Sequence, residues 1–154
     1  MENLILSSFP FLLSPFYFHL SPLSFHLPMN CHEELAQMLF TRICEIIKVK
    51  NIQMRAMNRR GSKSNKNYTL GYINLKTRTI VLDIYTPKTM KPKSLNSLIR
   101  TLCHEIAHLQ KPPYRQFHRG KWIVRQHYPA FYRQVERNIE KVKKDSILAM
   151  HFRN

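Results

Sequence analysis

Acidic residues are scarce in this chain. Nine Asp and Glu stand against 25 Lys and Arg in 154 residues, a formal net charge of +16. That balance points to a polyanionic partner, with nucleic acid the first candidate. The charge is spread along the chain, so it names a class of partner and no contact. Glycine is scarcer still, at 3 residues. A phosphate-cradling loop needs glycines in a cluster, which speaks against a nucleotide site of the P-loop type. The three cysteines, Cys31, Cys44 and Cys103, form no C-x-x-C pair. They give neither a disulfide framework nor a zinc ribbon, and the odd count fits a reducing, intracellular compartment, cytoplasmic or nuclear/nucleoid-associated. Long apolar runs are missing as well. Prolines interrupt every apolar stretch before 18 residues accumulate, so no membrane span is expected.

Residues 1–28 stand apart in composition. Glu2 is their only charged residue, and Pro10, Pro15, Pro22 and Pro28 recur among Phe, Leu and Ser. A secretory signal would want a basic start and a clean apolar run. The expectation is a poorly ordered apolar extension over 1–28 and one domain over 29–154, with Met29 an alternative start. One domain of that length holds a single core.

The rest divides by hydrophobic period. Asn30 and Glu33 have capping-box spacing. Leu35, Met38, Leu39, Ile43, Ile46 and Ile47 then fall on one helical stripe, predicting a helix over 31–48. His32, in its first turn, reads as a surface or capping residue. The residues from Ile52 to Met57 alternate as in a half-buried strand. Residues 58–67 carry four basic side chains and no acid or apolar residue, predicting a loop that could contact phosphates. Residues 68–75 and 78–85 are rich in β-formers around a Lys76-Thr77 turn, predicting an antiparallel hairpin. Lys88, Lys91 and Lys93 in the next loop are expected on the basic surface.

Ser94 is placed to cap a helix over 95–110. Its apolar residues Leu95, Leu98, Ile99, Leu102, Ile106 and Leu109 share one sector. Within this helix lies His104-Glu105-Ile106-Ala107-His108. Two histidines four apart stack on one helix face at chelating distance, and the glutamate between them is the base that activates a water in such sites. A chain of this composition yields about 0.02 such matches by chance. The histidines face away from the apolar sector, while Glu105 lies at its border, so they are not ordinary core residues. Pro112 and Pro113 end the helix. Residues 111–126 are expected as a basic connection, anchored to the core by Trp122, Ile123 and Val124 as a short turn or helix. A last helix is expected over 128–146, with Pro129 in its first turn and Phe131, Val135, Ile139 and Val142 buried. The end from 147 onwards is expected to fray.

A catalytic zinc usually takes three protein ligands. His118 and His127 are the candidates to complete His104 and His108, with Glu136 behind them. His127 precedes a helix and can be held rigidly, whereas His118 falls in mid-connection. An oxyanion donor could come from Tyr114, Tyr128 or the histidine that binds no metal.

Leu102 to Leu109, followed by His127-Tyr128-Pro129-Ala130-Phe131-Tyr132, resembles the paired signature of the SprT-like, WLM and YgjP-like zinc metallopeptidases. The likeness is in outline over 30–145 and in motif over 98–136. It implies an α+β, zincin-like domain ordered helix, strand, β-hairpin, active-site helix and C-terminal helix. It implies zinc held by His104, His108 and His127, with Glu105 as general base and a protein or peptide as substrate. His118-Arg119-Gly120-Lys121-Trp122 resembles the H-G-x-x-W element of the SprT group and keeps His118 open as the third ligand. Some members of these families cleave proteins bound to DNA, a substrate the basic charge would suit. The competing readings are a nucleic-acid-binding module with a structural or vestigial zinc site, and a metallohydrolase acting on another bond.

Overall fold

The computed structural model describes residues 31–57 and 69–152. The extension expected over 1–28, the cap at Asn30 and the basic loop expected over 58–67 lie outside the described residues. What is described is a small mixed α+β domain of three α-helices and two small sheets.

Helix α1 runs Cys31–Ile47, with Glu33 and Glu34 in its first turn, where negative charge complements the helix dipole. Its buried face is Ala36, Leu39, Phe40, Ile43 and Ile47. The expected stripe is therefore rotated, and Leu35 and Met38 are exposed. Phe40 decides the rotation. Its ring has the most apolar area to hide, and spacings of four, seven and eleven from Ala36 bring Phe40, Ile43 and Ile47 onto one face. His32 Nε2 lies 3.0 Å from the Ile84 carbonyl and its ring packs on Tyr85. It pins the helix start to the segment that follows Leu82.

Strands β1 (Gln53–Ala56), β2 (Gly71–Asn74) and β3 (Thr79–Leu82) form the larger sheet in the order β1-β3-β2. The predicted hairpin is β2 and β3, paired Gly71↔Leu82 through Asn74↔Thr79. Its turn is longer than two residues, because the Asn74 side chain accepts from the backbone N–H of Lys76 and of Thr77 and closes the bend there. β1 joins β3 in parallel, a pairing no local pattern announces. Ile80 and Leu82 of β3, followed by Ile84, are fully buried beneath the helices. Gly71 brings β2 close to the next helix. A Cβ there would stand 3.1 Å from Thr101 Cγ2 and 3.1 Å from the Val81 carbonyl.

Helix α2 is Leu95–Gln110, capped as expected by Ser94, whose hydroxyl accepts from the Ser97 N–H. Leu98, Ile99, Leu102, Cys103 and Ile106 enter the core beside α1 and β3. One loop residue departs from the sequence reading. Lys93 is not on the basic surface but buried, its Nζ 2.8 Å from Asp83 Oδ2. Together with the bond from Lys93 N–H to the Ile84 carbonyl, this pair closes the loop that feeds α2. A charge can be buried here because an opposite charge meets it at hydrogen-bond distance.

The largest correction concerns the expected basic connection. It is a second hairpin, β4 (Tyr114–His118) and β5 (Lys121–Arg125), paired antiparallel in a two-stranded sheet. Trp122, Ile123 and Val124 do not anchor it to the core; Trp122 and Val124 are exposed and Ile123 is half-buried. Successive strand residues point to opposite faces, so three adjacent apolar residues cannot all face one core. Arg119 and Gly120, both at positive φ, supply the two-residue turn that such hairpins favour. Helix α3 follows at Pro129–Lys143, and a 3₁₀ turn at Leu148–Phe152 ends the described chain. That turn corrects the expected fraying. Leu148 is buried in the core, and Asp145 accepts from the Ile147 and Leu148 N–H groups and from Arg42.

A candidate metal centre

His104 and His108 project from one face of α2, one turn apart, as the helical period requires. The chain then leaves α2, runs out and back through the β4–β5 hairpin and delivers His127 just ahead of α3. The Nε2 of His127 lies 3.2 Å from that of His104 and 3.3 Å from that of His108. Phe131, in the first turn of α3 and fully buried, forms the floor. Its ring centroid is 4.4 Å from that of His108 and 5.0 Å from those of His104 and His127. The four rings restrict one another's rotamers, which holds the nitrogens convergent. His108 is buried, His104 half-buried and His127 exposed, so the cluster opens to solvent on the His127 side.

Hydrogen bonding alone does not account for this geometry. The Nε2 of a neutral imidazole carries either one proton or one lone pair. His127 Nε2 can therefore satisfy one neighbouring nitrogen and not both. A shared electrophile satisfies all three. Imidazole nitrogens about 2.0–2.1 Å from a tetrahedral ion stand about 3.3 Å apart, which matches the two spacings observed. The protonation states agree. Burial, then the charge of His127, lowers the pKa of His104. Burial, then His104 and His127, pushes that of His108 down to about 4. Both are neutral at physiological pH, the form that ligates. His104, His108 and His127 are thus a group that could hold a metal ion.

Glu105 lies between the two helix histidines in sequence and is 6% exposed. Burial raises its pKa to about 7. Cys103 is no further ligand. It faces the core, and burial pushes its thiol up to about 12.

The other candidates fall elsewhere. His118 ends β4 opposite Lys121, at the hairpin tip, and the structure does not bring it to the cluster. Glu136 lies exposed on α3 and is not part of the group. The Tyr128 hydroxyl donates to the Pro112 carbonyl, 3.2 Å away, and its ring packs edge-on against Tyr114. That pair fixes the hairpin base beside His127.

Asn138 went unnoticed in the sequence. It is fully buried on α3, and its Nδ2 donates to the Cys103 carbonyl and to Gln110 Oε1 while its Oδ1 accepts from Gln134. It ties α3 to the helix that carries the histidines. The available signal was its position, seven residues after Phe131 and four before Val142, on the buried stripe.

No helix among the described residues is long and apolar enough to cross a membrane. Comparisons with protein-family models, with curated proteins and with solved structures return no match, so the chemistry of the site rests on its own geometry.

Proposed function

We propose that this chain is a zinc-dependent metallopeptidase of the SprT-like, WLM and YgjP-like kind. The observation that carries the reading is the convergence of three imidazoles, two of them flanking a buried glutamate on one helix. His104, His108 and His127 would hold the metal. Three nitrogen donors without thiolate or carboxylate suit zinc, and three protein ligands leave a coordination position free for chemistry. When bound, zinc supplies Lewis acidity, lowering the pKa of a water and polarising a carbonyl.

The chain's own residues do the rest. Glu105 takes the proton of the attacking water and passes it to the leaving amine. In the metal-free protein burial raises its pKa to about 7; a bound dication would favour the carboxylate, the form that accepts the proton. Phe131 keeps the imidazoles in register and closes the inner side of the cluster to water. β2 is an edge strand of the larger sheet beside α2, and an extended peptide could pair along it by strand addition. The basic composition favours substrates that are themselves associated with nucleic acid.

The test combines metal content and cleavage. Purified wild-type chain should carry about one zinc, and His104→Ala and His127→Ala should lose most of it. Glu105→Gln should keep the zinc and lose at least 100-fold in cleavage of an unfolded protein substrate. Full cleavage by Glu105→Gln would remove the general base from the mechanism. Equal zinc in all variants would remove the site.

A second reading, a nucleic-acid-binding module with a structural zinc site, is favoured by one observation. Between Glu105 and Glu136 the chain contains no acid. A fourth protein ligand in the zinc-loaded chain, together with salt-sensitive nucleic-acid binding unaffected by Glu105→Gln, would select this reading.

A further inference from the structure

The β4–β5 hairpin returns the chain to His127, a role that does not call for an apolar face. Among the described residues, no other helix or strand packs on it. Its attachment is at the base, through the Tyr114–Tyr128 ring contact. A hairpin that only joined α2 to α3 would be polar on both faces, because an exposed apolar strand invites aggregation. This one is not. Cross-strand register puts Phe117 opposite Trp122 and Arg115 opposite Val124, so these four side chains share one face. Phe117 is 59% exposed and Trp122 71%, and their rings meet at 5.4 Å between centroids, inclined by 63°. Arg119 and Lys121 stand at the turn, and both are exposed.

We infer that this face binds single-stranded nucleic acid, with bases stacked on Trp122 and Phe117 and phosphates held by Arg115 on the same face and Arg119 at the turn. Charge selects the occupant. The acid-free span from Ile106 to Val135 contains the whole hairpin, and an apolar face rimmed only by cations suits a polyanion with stackable rings better than it suits a protein. Form selects single over double strand. Exposed aromatic rings reach the faces of unpaired bases, which a duplex keeps stacked on one another. Stacking uses the ring face that every base presents, so the binding tolerates sequence. The inference does not depend on the peptidase reading, because it concerns binding and not cleavage.

Trp122 is the one tryptophan of the chain, which makes its fluorescence a direct reporter. The full-length, zinc-loaded protein is titrated with oligo-dT, oligo-U and a blunt DNA duplex of equal length. Both single strands should quench Trp122, and the duplex should bind at least several-fold more weakly. The preference between dT and U decides between DNA and RNA. Labelled-oligonucleotide anisotropy should show Trp122→Ala weakening binding about tenfold or more, with Trp122→Phe retaining most of it. Gln at Arg115 and Arg119 together should weaken binding and flatten its salt dependence. Zinc content equal to wild type in Trp122→Ala shows that the neighbouring centre still forms. Unquenched Trp122 on saturation, wild-type affinity in Trp122→Ala, or equal affinity for the duplex would each overturn the inference. Absence of peptidase activity would leave it standing.

Discussion

Glu105 is where stability and the proposed chemistry oppose each other. Its carboxyl is buried, makes no hydrogen bond or ion pair among the described residues, and has its pKa raised from 4.5 to about 7 by burial. The folded, metal-free protein therefore holds this proton more tightly than the unfolded chain does. The contribution is present in full below pH 4.5 and is lost as pH rises through 7. The gap between the two values corresponds to at most about 3 kcal/mol. Glu105→Gln removes the titration and nearly preserves the shape. With EDTA present, the stability of the variant relative to wild type should grow by up to about 3 kcal/mol between pH 4.5 and 8.5. His108, whose pKa is lowered to about 4, contributes the opposite trend on acidification, but it is common to both proteins and drops out of the difference. Urea denaturation followed by circular dichroism reads the effect as a midpoint shift of about 1–2 M. A difference that is flat with pH, or that shrinks as pH rises, would refute burial as the cause of the raised pKa. A carboxylate kept where it destabilises the fold is what a catalytic role requires and a structural role does not.

Two further perturbations address the supports of the site. Lys93→Met breaks the buried pair with Asp83 and should cost about 3–5 kcal/mol in urea denaturation, whereas Lys93→Met with Asp83→Leu should recover much of it. An additive double variant would show that the pair is not coupled. Asn138→Ala removes the bonds to Cys103 and Gln110 and should cost about 2–3 kcal/mol. The same loss in Asn138→Leu would show that missing hydrogen bonds, and not missing volume, account for it.

The local features of this domain are written in the chain because local forces set them. The helix Leu95–Gln110 and its Ser94 cap follow from periodicity and one hydroxyl. The adjacency of His104 and His108 follows from 3.6 residues per turn. The basic character follows from counting. Even α1 was legible as a helix, while its exact face was not, since that depended on where Phe40 finds a core.

Other features exist only once distant segments meet. The parallel pairing of β1 with β3 and the burial of Lys93 against Asp83 are long-range events. Asn138 is polar by sequence and becomes a core residue because α2 offers it a carbonyl and an amide oxygen. The choice between the two later histidines is of the same kind. Both had plausible spacing from His108. The turn at Arg119-Gly120 carries His118 out to the hairpin tip and returns the chain, so that His127 meets His104 and His108 over Phe131. By itself the sequence determined which side chains could ligate a metal. Only the tertiary structure decided which of them meet, because a ligand set is a matter of distance in space and the hairpin sets that distance.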